Sequence, residues 1–154
     1  MRKFIFRLEA VLRHRATVEG LREQEFTAAQ GRLDLALAKM NEMRNEFQRI
    51  LAARPGMKAG EIFDAQTLFD RERYLQTLQV SLESQERRVE AAKMIADEKR
   101  KILVEAKQAR QVVEHLRGRE LAVYKADLSR LEQHALDELA SLRHSARRRE
   151  GGTS

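Results

Sequence analysis

Apolar residues follow a strict 3,4 spacing through the first third of the chain. This spacing places them on one face of an α-helix and is typical of a coiled-coil seam. Upstream, the same frame continues through Ile5, Leu8 and Leu12 but meets polar Arg15, Glu19 and Arg22. The sequence therefore predicts a helix over 4–53 whose N-terminal half packs either more loosely or against something else. The eight successive apolar seam positions are Phe26, Ala29, Leu33, Ala36, Met40, Met43, Phe47 and Ile50.

One segment contains the strong helix breakers. Pro55 disfavours helical geometry at Arg54, and Gly56 and Gly60 readily adopt the backbone conformations of a chain reversal. We therefore expect a turn at 54–60, followed by a second helix over 62–147.

The second helix has apolar repeats in three successive frames. Frame changes of this kind resemble stutters, which locally rewind a coiled coil. Gly118 lies at the second change, where it marks either a bend or a tolerated glycine. The first frame contains Leu75, Leu78, Leu82, Gln85, Val89, Ala92 and Ala96; the second contains Ile95, Ile102, Ala109, Leu116 and Val123; the third contains Leu121, Tyr124, Leu128, Leu131, Ala135 and Leu142.

These elements predict an all-α fold, in which two long helices form an antiparallel coiled-coil hairpin and the second helix overhangs the first. We expect one coiled-coil domain over 1–147 and a flexible basic tail over 148–154. A reversal near residue 57 would set Met40 near Tyr74 and Phe4 near residue 110, leaving about 35 C-terminal residues without an intramolecular partner. Because this overhang keeps an apolar repeat, it must enter a binding partner, pair with another copy or be only partly ordered.

Composition favours long helices over a compact core. Charged residues make up 35% of the chain and aromatic residues only 5%, which suits a narrow apolar stripe on helices. The absence of cysteine excludes disulfides and thiolate metal sites and fits a reducing compartment. Apolar runs are too short to span a bilayer, and Arg7 and Glu9 interrupt the apolar N-terminal stretch. We therefore predict a cytoplasmic protein.

The net charge of +6 is concentrated at the two ends of the chain. Residues 143–154 contain four arginines against one glutamate, whereas residues 54–142 are neutral. A basic end could meet an acidic protein surface, an anionic membrane or a nucleic acid, and charge alone does not choose among them. The C-terminal arginines are read either as a solvated terminus or as a partner-binding segment.

No residue pattern in the chain predicts catalysis. The glycine pair Gly56 and Gly60 is not followed by the Lys-Ser/Thr of a phosphate loop. The four histidines lack the spacing of a metal site, and carboxylates on a two-helix structure face water. We expect no enzyme activity, no cofactor and no metal. The histidines are His14, His115, His134 and His144.

Several short motifs, in order and spacing, resemble the FliJ family of the bacterial flagellar type III export apparatus. The first is the N-terminal pattern F-x-F-x-L-x-x-V-L-x-x-R, which begins at Phe4 and ends at Arg15. Others are Asn45-Glu46-Phe47, Met57-Lys58-Ala59-Gly60 and Tyr74-Leu75-Gln76-Thr77-Leu78. The resemblance covers nearly the whole chain.

This resemblance implies a non-catalytic stalk in the export ATPase complex. FliJ-like proteins are similar to the central stalk of rotary ATP synthases, so the termini would enter the pore of the ATPase ring FliI. The implied partners also include the export gate FlhA, export chaperones and FliH, with peripheral attachment to the inner membrane at the flagellar base through partners. The residues expected in or near the ring are Arg2, Lys3, Arg7, Arg13, Arg147, Arg148 and Arg149.

The resemblance also implies a gate-binding face beside the turn. Its members on the second helix correspond to Tyr74, Leu78, Ser81 and Gln85, and those on the first helix to Met40, Met43 and Phe47. The heptad frame instead places Leu78, Gln85 and the three first-helix residues in the seam and leaves Tyr74 at its flank. The methionines are therefore read either as coiled-coil core or as an adaptable binding surface.

Three other functions compete with the flagellar stalk. They are the equivalent stalk of a virulence type III secretion system, a generic coiled-coil scaffold and a basic rod that binds nucleic acid. The last is the weakest, because the chain shows no recognition fold and few aromatic residues for base stacking. No nucleic-acid partner is expected.

Overall fold

The computed structural model describes residues 3–53 and 65–150, without the side chains of residues 149 and 150. Two α-helices account for nearly all of this part: α1 (Glu9–Ala52) and α2 (Ala65–Glu150). They pack against each other, and no strand occurs among the described residues. The predicted all-α fold with two long helices is confirmed. Within the same ranges, neither helix contains a stretch apolar enough to cross a bilayer.

The predicted element ends differ from the observed ones. Residues 3–8 are not helical, so α1 begins at Glu9, whose backbone N–H donates to the Phe6 carbonyl at 3.2 Å. At the other end, α2 continues to Glu150, so Arg148 and Arg149 belong to the helix. The predicted turn at 54–60 and residues 151–154 lie outside the described residues.

The contacts divide the chain into two compact units. Unit 1 contains residues 1–17 and 107–154, and unit 2 contains residues 18–106. The sequence-based division into one coiled-coil domain and a tail stays a prediction.

In unit 2 the two helices pack antiparallel along the predicted seam. All eight predicted positions of α1 are buried or half-buried, and so are all seven of the first frame of α2. Met40, Leu78 and Ala96 are among the most buried. Gln85 is 5% exposed and donates from Nε2 to the backbone carbonyl of Ala36 at 2.9 Å. The polar member of the seam is therefore satisfied by the opposite helix.

The first predicted frame change of α2 is wrong. Ala96 is 2% exposed, whereas Ile95 is 51% exposed, so the original 3,4 frame continues. It passes through half-buried Lys99 and on into unit 1, where Arg110 and Arg117 are also half-buried. Long polar side chains can occupy seam positions because their methylene stems cover apolar surface while their charged ends reach partners. Lys99 Nζ, for example, donates to Glu25 Oε2 on α1 at 3.1 Å.

In unit 1 the N-terminal segment lies against α2. Phe6 is buried, and the Phe4 ring packs against the Tyr124 ring with centroids 5.6 Å apart. Arg117 Nε donates to Glu9 Oε2 at 3.1 Å. The expected seam position Ile5 is 79% exposed, because the backbone there is not helical and Phe6 points inward instead.

The predicted register between the helices is also wrong. Tyr74 lies beside Glu46, with which it forms a hydrogen bond, instead of beside Met40. Phe4 contacts Tyr124 instead of residue 110. The observed pairing is displaced along α2, since Glu46 meets Tyr74 and Ala36 meets Gln85.

Beyond Leu128 every described side chain of α2, residues 129–148, is exposed. This segment is shorter than the predicted overhang because of the shifted register. Gly118 lies within the continuous helix, and a Cβ built there meets nothing within 4 Å. The exposed leucines of this segment are Leu131, Leu136, Leu139 and Leu142.

Candidate functional site

The candidate site is a cluster of polar and aromatic side chains on the flank of the unit 2 seam. We call Glu46, Arg49, Arg71 and Tyr74 the Tyr74 cluster. Tyr74 directly precedes the buried seam residue Leu75, and Glu46 directly precedes the seam residue Phe47. In an antiparallel coiled coil, residues at these flanking positions face each other across the two helices.

A hydrogen bond joins the two helices within the cluster. The Tyr74 hydroxyl donates to Glu46 Oε1 at 2.7 Å, a short distance typical of a bond to a charged acceptor. Tyr74 remains 46% exposed. The bond to the Glu46 carboxylate raises the pKa of Tyr74, and partial burial adds to this, while the Arg49 charge acts in the opposite direction.

Arg71 fixes the same turn of α2 to the end of α1. Its Nη2 donates to the backbone carbonyls of Ile50 and Leu51 at 2.8 and 3.1 Å. The last carbonyls of a helix lack intrahelical partners and carry partial negative charge, so a guanidinium there satisfies both needs. Arg71 thus caps α1 from the neighbouring helix.

The other predicted gate-binding residues are less accessible. Leu78, Gln85 and Met40 are buried in the seam, which leaves almost no side-chain surface for a partner. Ser81, Met43 and Phe47 are half-buried. Of the seven predicted residues, only Tyr74 is exposed, and this placement favours the core interpretation of the methionines. Their role in binding stays a prediction.

Two shallow grooves lie in the same part of unit 2. One has a volume of about 320 Å³ and is lined by Glu42, Asn45, Glu46 and Arg49. The other has a volume of about 290 Å³ and is lined by Phe69, Glu72, Arg73 and Gln76. Both are open, so neither resembles an enclosed site that would desolvate a catalytic group.

The predicted ring-binding arginines and lysine fall into two separate groups within unit 1. Lys3, Arg7 and Arg13 are exposed in the N-terminal part of unit 1, in which Phe4 meets Tyr124 and Glu9 meets Arg117. Arg147 and Arg148 are exposed roughly 35 Å further along α2, at 1.5 Å per residue. The structure does not bring the two groups together. Arg2 and the side chain of Arg149 lie outside the described residues.

The sequence analysis did not predict the contacts between the helices that form the Tyr74 cluster. Glu46 was noted only as part of the Asn45-Glu46-Phe47 motif and Arg71 was not singled out, although each occupies a position on or beside the seam that a correct register would have paired. Among the described residues, no group of three histidine, aspartate or glutamate side chains is arranged to hold a metal ion.

Comparison with known proteins adds one finding. A protein-family model described as "Flagellar FliJ protein" matches residues 4–149, nearly the whole chain. No curated protein and no solved structure matches the chain significantly.

Proposed function

Because this chain belongs to the FliJ family and so to the flagellar export apparatus, we propose that it is a stalk that binds the export ATPase FliI and the export gate FlhA. The proposal extends to escort of export chaperones, association with FliH and a location at the inner face of the membrane at the flagellar base. The family description, which specifies flagella, supports this function over a virulence secretion stalk. The observation that carries the proposal is the family match over residues 4–149.

The exposed ring of Tyr74 supports gate binding through unit 2. An aromatic side chain that is held in place and half open to solvent is a frequent hot spot of protein interfaces. The buried neighbours Leu78 and Gln85 keep the two helices together and so maintain the surface on which Tyr74 lies.

The exposed helix of unit 1 supports binding of the ATPase ring. Residues 129–148 carry four exposed leucines and four exposed arginines, and no other part of the described chain covers them. Most helical stability in proteins comes from packing of an apolar face, which this segment lacks, so a partner that covers the leucines would stabilise it.

Purified components test the proposal. The full chain should bind both FliI and the cytoplasmic region of FlhA, and Tyr74→Ala should weaken the FlhA affinity by about 30-fold while leaving the FliI affinity unchanged. The matched control is Val80→Ala, since Val80 is also exposed on α2 but lies outside the cluster. If the full chain binds neither protein, the stalk function is wrong. If Tyr74→Ala lowers the melting temperature but binds FlhA normally, the gate-binding face must be abandoned at this residue.

A further inference from the structure

We propose that Glu46 is a positioning residue for Tyr74: it holds the tyrosine ring in the orientation in which the ring meets the export gate. This inference rests on the proposed function, because its partner is the same gate surface.

The geometry separates the two parts of the Tyr74 side chain. The hydroxyl is engaged with Glu46 Oε1 on the opposite helix, whereas 46% of the residue stays exposed. An exposed side chain normally samples several rotamers and loses that freedom on binding. The cross-helix bond removes part of this freedom beforehand, so the free protein already presents the ring as a fixed apolar surface.

The surroundings of Glu46 favour this role. Arg49 Nη2 lies 3.9 Å from Glu46 Oε1, on the next turn of α1, so the Glu46 side chain also has a polar neighbour on its own helix. Arg71 lies one turn before Tyr74 on α2 and bonds to the end of α1. The backbone that carries Tyr74 is therefore tied to α1 beside the ring, and the bond to Glu46 fixes the ring itself.

The arrangement also indicates the chemistry of the contact. Because the hydroxyl proton is already donated to Glu46, the ring carbons are the larger part of Tyr74 that remains available to a partner. The gate surface that meets Tyr74 should be apolar and should not need a hydrogen bond from the phenol.

Affinity measurements with the purified cytoplasmic region of FlhA test the inference. Glu46→Ala removes the acceptor and should weaken binding about 3- to 10-fold, the range expected for one hydrogen bond. Tyr74→Phe removes the donor and should weaken binding by a similar factor. The two changes together should weaken binding no more than either alone, because each breaks the same bond. Glu46→Gln keeps a carbonyl acceptor and should restore most of the affinity.

Glu86→Ala is the matched control. Glu86 also bonds across the helices, to Arg44 Nη2 at 2.9 Å, but its side chain is more exposed than that of Glu46 and it lies on the opposite flank of the seam. A general effect of losing an exposed cross-helix bond would weaken binding in both alanine variants, whereas positioning of Tyr74 predicts an effect of Glu46→Ala alone.

A second readout follows the bond directly. The chain has two tyrosines, so a Tyr124→Phe background leaves Tyr74 as the only tyrosine. Absorbance titration should then show a pKa of Tyr74 above the ordinary value, which Glu46→Ala returns toward that value.

The outcomes separate the two levels of the argument. If Tyr74→Ala weakens FlhA binding while Glu46→Ala shifts the titration but leaves the affinity unchanged, the positioning role is overturned and the gate-binding function stands. If Tyr74→Ala leaves the affinity unchanged, the gate-binding face and the positioning role both fall.

Discussion

Units 1 and 2 use similar leucine-rich repeats with different results. In unit 2 the apolar face of each helix packs against that of the other helix, and Leu75 and Leu78 are buried. In unit 1 the first helix contributes only Glu9 to Thr17 and the segment before it, and the leucines of α2 after Leu128 are exposed. Periodicity therefore identifies a helix face that can be buried, and the length of the facing element decides whether it is.

The largest expected difference between the units comes from deleting leucine side chains. Leu78→Ala in unit 2 should lower the free energy of unfolding by about 2–5 kcal/mol, because it opens a cavity in the seam. Leu139→Ala in unit 1 should change it by less than about 0.5 kcal/mol, because that side chain is exposed. Urea unfolding followed by circular dichroism measures both. Equal losses would show that Leu139 is covered in solution.

Replacing the buried glutamine of unit 2 should change the free energy of unfolding in the opposite direction. Gln85→Leu should raise the free energy of unfolding by roughly 1 kcal/mol, because it replaces a buried amide with an apolar side chain of similar size. The Ala36 carbonyl lies inside α1 and keeps its helical hydrogen bond. The variant should also tolerate other registers, since a polar seam residue specifies register at a cost in stability. A loss of more than about 1 kcal/mol would contradict this account.

A smaller gain is expected at Gly118 in unit 1. Gly118→Ala should raise the free energy of unfolding by about 0.5–1 kcal/mol, because alanine restricts the unfolded chain and suits a helix interior. An added Cβ meets no atom within 4 Å, so no clash offsets the gain. Gly31 in unit 2 has the same open surroundings, so Gly31→Ala should give a gain of the same size when both variants are unfolded in urea. Destabilisation at Gly118 alone would indicate that the glycine serves a bend.

The smallest effect concerns pH and Glu25 of unit 2. Hydrogen bonds from Lys99 and then from Arg22 lower the pKa of Glu25. Because the folded pKa lies below the unfolded one, the stabilisation is present above the unfolded pKa and is lost as pH falls through the folded value. The wild type should therefore unfold at higher denaturant concentration than Glu25→Gln at neutral pH, and this gap should close in acid. A gap that persists at low pH would contradict the assignment.

The sequence predicted the unit 2 seam well because both helices there keep uninterrupted apolar 3,4 repeats. It failed where polar residues continue the seam: Lys99 and Arg117 were passed over, and the exposed Ile95 was chosen. Lys99 and Arg117 can be half-buried because they form ion pairs with Glu25 and Glu9 of the opposite helix. The apolar pattern of a single helix does not reveal these partners.

The candidate site was predicted only in outline. The flank position of Tyr74 followed from the heptad frame and is confirmed by its exposure. Its partner Glu46 depended on the register between the helices, which the apolar pattern of each helix alone does not give. The capping role of Arg71 likewise required the observed end of α1.

The most direct test of the central claim is photo-cross-linking in flagellated cells, with one probe in each unit. A cross-linker in place of Thr77, which is exposed one turn from Tyr74, should capture the gate FlhA. A cross-linker in place of Arg143, in the exposed helix of unit 1, should capture the ATPase FliI. Capture of neither partner, or of the two partners in the reverse assignment, would contradict the account.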